Sequence, residues 1–419
     1  MERMGEGRRP TVAGTLNRLP QAADRELERQ GAPVHGASIC FAMDPRFPAA
    51  QPIAERIASH LARQMAAAQY NGSQELATLP PVAQIAAVVD AAFWASLRHE
   101  EGFSPRISLA ITSSDSSDSP LLFATALPLS PAALAHLAPA VERPGIHLGV
   151  WPLNGELHMW GTTRGIPAFC VVIEVLAPGV LVFKHRHVDD SVKYVNMAVL
   201  DGDEVKIVDE AVAMPSNCPP FVSFLLGFQS HPSKKKTGIA LVKLAVSMRA
   251  HGRGALLLIV PGDSDWQLSV AQPVTYAIHP PYTVLAEALR QNNEIEGERA
   301  RADAVRLAVE HVIGLTAVDG ATVLNSCYDV LAFGAKIIRR EGRDQVDRVL
   351  MTEPIEGRAP AYFNPALIGG TRHLSAVQFV HDQHDAIAMV ASQDGKFTVF
   401  QWSETQNVVH GHRVETLLL

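Results

Sequence analysis

Cysteine is scarce here, and its placement excludes more than its number does. The four cysteines of the 419-residue chain, Cys40, Cys170, Cys218 and Cys327, stand far apart, and no CxxC pair occurs. That spacing excludes a compact zinc motif and the disulfide framework of a small secreted domain. It reads as reduced thiols in a cytoplasmic protein. Long apolar runs are missing too. Phe221–Phe228 and Ala255–Val260 are among the longest, well short of the ~18 residues of a membrane-crossing helix. Met1 to Pro10 is charged and Gly-rich, with no apolar stretch that would make it a secretory leader. A basic excess is also lacking. Lys and Arg number 36 against 43 Asp and Glu, a net charge of −7. This excludes a general nucleic-acid coat but leaves room for a basic pocket that takes one nucleotide. No Walker loop, GxSxG elbow or GxGxxG fingerprint occurs. The expectation is a cytoplasmic protein with neither nucleic acid nor membrane as partner.

What is present is the composition of a globular protein, 47% hydrophobic and 19% charged, with length for roughly two to three domains. Residues 1–35 read as a flexible polar arm. Ala49 to Gln69 follows a helical period through Ile53, Ile57, Leu61 and Met65, and Val82–Leu97 predicts a second helix. Ser113 to Pro120 is a polar loop. Short strands follow at His147–Trp151, Leu157–Trp160, Phe169–Leu176 and Val180–His185, separated by Gly, Pro and Asn turns. Pro215 to Pro232 reads as a connector, and the Lys234-Lys235-Lys236 run as a solvated boundary.

Beyond it, Ile239, Val242, Ala245, Val246 and Arg249 suggest a helix ended by Gly252 and Gly254. Gly254–Val260 is a buried strand stopped by Pro261-Gly262. Val305, Ala308, Val309 and Val312 mark a charged helix whose start, Glu294 to Asp303, is a solvated face. A hairpin joins Val323–Leu324 to Val330–Phe333. A helix from Ser375 to His381 precedes strand Ala386–Ala391, the Asp394-Gly395 turn and strand Phe397–Trp402. The fold class expected is α/β. Residues 237–419 form a mixed sheet flanked by helices, and residues 36–232 form an α+β regulatory domain before it. Two polar clusters read as structural: Lys184-His185-Arg186-His187 with Asp189-Asp190 as an exposed turn, and His381 to Asp385 as a helix end.

Two short motifs carry the chemistry. Asp319-Gly320-Ala321 opens a strand directly after an amphipathic helix, and Gly369-Gly370-Thr371-Arg372-His373 opens a later helix. Together, and in this order, they resemble the DGA and GTRHR hallmarks of the diadenylate cyclase (DAC) family. The resemblance covers roughly residues 237–403. It includes the strand Gly254–Val260, the tripeptide Phe333-Gly334-Ala335, and the closing strand pair with Ser392 before its turn. Residues 36–230 resemble the DACNV type of sensor domain on Trp160-Gly161-Thr162-Thr163 and Pro178-Gly179-Val180-Leu181.

The resemblance implies a site that condenses two ATP molecules into cyclic di-AMP and pyrophosphate. Charge builds on phosphate oxygens in such a reaction, so positioning and electrostatics dominate. Asp319 would orient a ribose 3′-OH and hold Mg²⁺ or Mn²⁺, with Asp394 as a second carboxylate for the metal. Gly320 leaves room for the nucleotide, and Ala321 completes the motif. Gly369 and Gly370 would turn backbone N–H groups to the triphosphate, Thr371 a hydroxyl, Arg372 a planar fork and His373 a ring N–H. Ser392 would join the same nucleotide site. Two-fold symmetry of the product implies self-association, with two sites face to face. The chain departs from the family at Leu374, where Arg is usual, and at Ser392-Gln393-Asp394, where the family has Ser-Glu-Glu. Two functions stay open: a diadenylate cyclase under sensor control, and a nucleotide-binding receptor that no longer cyclises.

Overall fold

Alternation of side chains along strands decides which face of each sheet is covered. The computed structural model describes residues 47–70, 76–188, 193–209, 211–212, 218–226, 232–290 and 298–419. The N-terminal arm, Cys40, Asp189-Asp190 and Pro215 lie outside them.

Helices α1 (Ala50–Tyr70) and α2 (Val82–Ser96) precede β1 (Ile107–Ile111), β2 (Leu121–Pro128), α3 (Pro131–Val141), β3 (His147–Leu153), β4 (Glu156–Thr163), β5 (Val171–Ala177), β6 (Val180–Arg186), β7 (Tyr194–Asp201) and β8 (Glu204–Ile207). The strands form one eight-stranded sheet in the order β2-β4-β3-β1-β5-β6-β7-β8. Leu109, Ile111, Leu148, Val150, Ile173, Leu181 and Phe183 cover one face and pack with Ile53, Ile57 and Leu61 of α1 and Ile85, Val88 and Val89 of α2. Their neighbours in sequence, Ser108, His147, Glu174 and Lys184, therefore look out from the opposite face.

Five elements of this half, β1, β2, α3, β7 and β8, escape the sequence reading. β2 is an edge strand with no buried position, so it carries no alternation to read. α3 is announced only by its cap, where Ser130 Oγ accepts from Ala133 N at 3.3 Å ahead of Pro131. One expectation is corrected. Lys184, His185 and Arg186 do not form an exposed turn but end β6, which is paired on both sides. His185 and His187 are buried, and His185 stacks on Phe169 at 4.8 Å.

The second half contains α4 (Pro220–Leu225), α5 (Pro232–Ala250), β9 (Ala255–Val260), β10 (Tyr276–Tyr282), α6 (Val284–Arg290), α7 (Glu298–Thr316), β11 (Ala321–Asn325), β12 (Val330–Ala335), β13 (Val349–Thr352), β14 (Ala361–Phe363), α8 (Thr371–Asp382), β15 (Ile387–Ala391), β16 (Phe397–Ser403) and β17 (Val408–Arg413). Its nine-stranded mixed sheet runs β10-β12-β11-β9-β15-β16-β17-β13-β14. All six residues of β9 are buried. Ala255, Leu257 and Ile259 pack with Leu241, Leu244, Ala308 and Val312 of α5 and α7. Leu256, Leu258 and Val260 pack with Ala376, Val377, Phe379 and Val380 of α8. The protein is thus mixed α/β, with two mixed sheets flanked by helices. Part of the expected Pro-rich connector is the short helix α4. α8 begins at Thr371 rather than Ser375, so the second motif lies inside its first turn. Among the described residues, no helix is long and apolar enough to cross a membrane.

Both sheets belong to one compact unit. Asn196 of β7 is buried, and its Nδ2 donates to Thr416 O at 2.9 Å and Leu419 O at 3.2 Å. Backbone bonds Asp209 N to Pro354 O (3.0 Å) and Glu356 N to Ile207 O (2.9 Å) continue the seam. Asn196→Ala leaves two carbonyls without this donor and should cost about 1–3 kcal/mol. The check is a lower guanidinium midpoint in denaturation followed by circular dichroism.

Burial also sets the acid limit of the fold. It pushes the imidazoles of His60, His147, His185 and His410 down to about 4. Each folded value lies below the unfolded one, near 6.5, so the unfolded state binds more protons between the two. Stability from these residues is fully present above about pH 6.5 and is lost as pH falls toward 4. Thermal unfolding across that window should show a falling midpoint.

Candidate functional site

Strand register brings the two motifs to one edge of the second sheet. Ala321 pairs with Leu256 of β9 and with Ala335 of β12, while Ala391 pairs with Ala255 of β9 and with Phe397 of β16. The starts of β9 and β11, the end of β12 and the β15–β16 turn therefore share that edge. The first turn of α8 arrives there as well. A Cβ placed on Gly254 (φ +72°) would stand 2.9 Å from Arg372 Nη1 and 3.4 Å from Gln393 Cγ. Gly254, Arg372 and Gln393 thus meet across three separate elements.

Gly320 is required by packing. Its φ is +117°, and a Cβ there would lie 2.5–2.8 Å from the backbone of Gly334, closer than any side chain tolerates. β12 can approach the motif only because Gly320 carries no side chain; a Cβ on Gly334 (φ +60°) would instead meet the Tyr276 ring at 2.9 Å. Beside them, Tyr276 stacks on Phe333 with centroids 4.7 Å apart and stays half exposed.

Asp319 faces solvent, with 81% of its side chain exposed, and forms an ion pair with Lys336. The Lys336 hydrogen bond and charge hold its carboxyl below the usual range, with smaller help from Arg372 and the Gly320 N–H. Asp319 is therefore ionised at neutral pH and lies within the field of Arg372. Lys336 was not singled out from sequence, although it directly follows Phe333-Gly334-Ala335. His251 and Arg253 also escaped that reading. His251 lies in the field of Arg253 and Arg372, and the Arg253 carbonyl accepts from Gln393 Nε2 at 3.4 Å.

The helix end is open. Gly370 is the N-cap residue of α8 and offers no side chain, so none caps the helix. His373 N and Leu374 N donate to Gly370 O at 3.0 and 3.3 Å. Such an end presents backbone N–H groups and a positive dipole to an anion. Thr371 is exposed and Arg372 half-buried. His373 is 5% exposed; its ring lies under Gly369, where a Cβ would stand 2.3 Å from Nδ1, and edge-on to Phe400 at 6.1 Å. Burial lowers its pKa, so the ring is neutral.

Ser392 and Asp394 belong to the β15–β16 turn. Ser392 N donates to Lys396 O at 2.9 Å, and Arg249 Nε donates to Gly395 O at 2.9 Å, fixing the turn against α5. The Asp394 carboxylate accepts from Lys396 Nζ at 2.8 Å and from Ser392, which brings its pKa to about 2. Its oxygens are committed within the turn. Among the described residues, no group of three or more His, Cys, Asp or Glu gathers as a metal cage. One exposed carboxylate fits Mg²⁺ differently, since that ion is commonly held by one or two carboxylates and by substrate phosphates. The His381–Asp385 segment is structural. Asp382 is buried and accepts from Arg340 N (2.7 Å) and Gln378 Nε2 (2.8 Å), and His384 stacks on Trp402 at 3.8 Å.

Replacing Lys336 by Met removes the main cause of the low Asp319 pKa. Carboxyl titration by NMR should show Asp319 moving up toward the ordinary value near 3.9, while Asp394 stays near 2.

Residues 74–164 match the family model described as "Probable sensor domain DACNV". No curated protein sequence matches the chain. Among solved structures, similarity is found to a hypothetical membrane spanning protein from Bacillus cereus, at 12% identity and a TM-score of 0.25, over 42% of this chain and 62% of that one. Similarity is also found to DacA from Staphylococcus aureus, at 14% identity and a TM-score of 0.24, over 40% of this chain and 83% of that one. The chain thus spans less than two thirds of the first of these structures, and at such scores neither likeness bears on function. What the comparisons show is the match of residues 74–164 to a probable sensor domain.

Proposed function

We propose that the edge carrying Asp319 and Arg372 binds ATP and joins two ATP molecules into cyclic di-AMP, under control of the N-terminal module. The observation that carries the proposal is the pairing of an ionised, solvent-facing carboxylate with an arginine in the first turn of an uncapped helix. Sequence separates these residues widely, and strand register reunites them. In each half-reaction the 3′-oxygen of one ATP forms a bond to the α-phosphorus of the other. The α–β phosphoanhydride bond breaks, pyrophosphate leaves, and the hydroxyl proton ends in solvent.

Ionised Asp319 accepts the hydrogen bond of the 3′-OH and aims its lone pair. With a depressed pKa it is an orienting acceptor rather than a strong base. Arg372 and the Gly369–Gly370 backbone meet the phosphate charge, with Thr371, Ser392 and a His373 ring N–H as further donors. Lys336 adds a second cation, and in the occupied site it would exchange Asp319 for phosphate. A divalent ion, Mg²⁺ or Mn²⁺, would neutralise triphosphate charge when bound, and Asp319 is the residue to hold it. One edge holds one ATP, so the two-fold product requires two protomers face to face. This reading includes a cytoplasmic location, where ATP is supplied.

A second reading, a module that binds nucleotide without joining it, is favoured by two residues at the same edge. Leu374 is 39% exposed where the resembled family carries a cation, and Gln393 places a neutral amide beside Arg372 and Gly254. Incubation of the purified chain with ATP and Mg²⁺ or Mn²⁺, read by chromatography, separates the two. Cyclic di-AMP that rises more than linearly with protein concentration is the expected result; ATP binding without product selects the receptor. Asp319→Asn should lower product by about 100-fold or more with an unchanged circular dichroism spectrum. Arg372→Ala should weaken ATP by about 1.5–3 kcal/mol and leave adenosine affinity little changed. Equal calorimetric affinity for ATP in variant and parent would remove Arg372 from the site.

A further inference from the structure

The face of the first sheet turned away from its helices carries a sunken polar network beside the apolar cluster of Ala110, Cys170 and Val172. Five adjacent strands contribute to one network. Ser108 Oγ of β1 bonds to His147 Nδ1 of β3 at 2.7 Å and donates to Glu174 Oε1 of β5 at 3.3 Å. His147 Nε2 bonds to the Tyr194 hydroxyl of β7 at 2.8 Å. Lys184 Nζ of β6 pairs with Glu174 Oε2 at 2.6 Å and lies 4.9 Å from the Tyr194 ring centre. Ser108 and His147 are buried, and the side chains of Lys184 and Glu174 are only 11% and 18% exposed. Polar groups sunk this far are costly unless paired, and each of these has a partner.

A cavity of about 480 Å³ opens over Ser108, Glu174, Lys184 and Tyr194. That is within the range of about 300–1,000 Å³ common for small-molecule sites. Its rim carries Arg106, Arg143 and Arg164, and Glu142 as the one rim carboxylate. All three arginines are exposed, and none is ion-paired among the described residues. Glu174 is neutralised by Lys184, so the rim leaves an excess of unpaired cations. They are guanidinium groups, whose planar forks suit carboxylate and phosphate oxygens. Arg106, Ser108, Arg143, His147 and Arg164 all fall within the stretch that matches the sensor model.

We infer that this cavity is the ligand site of the N-terminal module and takes a small anionic metabolite. Its phosphate or carboxylate group sits on Arg106, Arg143 and Arg164, and its hydroxyl-bearing body rests on Ser108, Tyr194 and the Lys184–Glu174 pair. The inference does not rest on the nucleotide reading of the second sheet, and its test keeps the two apart. Calorimetry on the full chain uses inorganic phosphate and citrate as separate probes in an amine buffer, which distinguishes a phosphate site from a carboxylate site. The expected result, in the parent and in an Arg372→Ala background that removes the phosphate arginine of the other site, is saturable binding of at least one probe, weakened about tenfold or more by Arg143→Gln with Arg164→Gln. The arginines are exposed, so the double variant should keep the parent circular dichroism spectrum. Failure of both probes to bind at millimolar concentration overturns the inference. So does binding that survives the double arginine change, or that is lost with Arg372→Ala.

Discussion

The full burial of β9 is the constraint on which the second half of the protein depends. Six successive apolar residues are covered by α5 and α7 on one side and by α8 on the other. A strand buried on both faces cannot slip by one residue without misplacing every packed side chain. β9 therefore fixes the register of β11 on one flank and β15 on the other. That register sets Gly254, Ala321 and Ala391 at the same edge. The position of the motifs follows from this packing.

The edge itself obeys the opposite rule. Backbone approaches backbone at Gly320 and Gly334, and glycine at Gly254 leaves space that Arg372 fills. Charge then occupies what packing leaves open. Asp319 with Lys336, and Asp394 with Lys396, are exposed pairs, which contribute little to stability. Their effect is on protonation: both carboxyls stay ionised. Arg372 of α8 and Lys336, just after β12, act on Asp319 without a buried partner to neutralise them. A polyanion can enter this arrangement without breaking any contact that holds the fold.

Much of this was legible in the sequence for definite reasons. β9 declared itself by an unbroken apolar run bounded by Gly and Pro, and α1, α2 and α7 by apolar residues at helical spacing. The DGA and GGTRH stretches were legible through their resemblance, together and in this order, to the hallmarks of the diadenylate cyclase family; either stretch alone would pass for an ordinary turn. β2 and β10 were not, because edge strands bury little and lose the alternation that marks a strand; β10 also contains Pro280 and Pro281. Lys336 was missed because its role depends on β12 folding back beside β11, a tertiary fact. The burial of His185 was missed because a run of Lys, His and Arg resembles a solvated turn until both neighbouring strands are known.

The same tertiary logic links the halves. Lys184 and Tyr194 line the anion cavity on one side. On another they line a cavity of about 260 Å³ closed by Phe224 of α4 and by Val242, Lys243 and Val246 of α5. α5 runs from that wall to Ala250, just before Gly254, and its Arg249 holds the β15–β16 turn through Gly395 O. One helix thus has its middle across that cavity from the first sheet and its end against the candidate nucleotide edge. Lys184 cannot turn away from Glu174 without altering the wall that Val242 and Val246 face, because it lines both cavities together with Tyr194. Packed elements transmit such a change by shifting as units rather than by bending. Asn196, bonded to Thr416 and Leu419 across the seam, ties the first sheet to the end of the second.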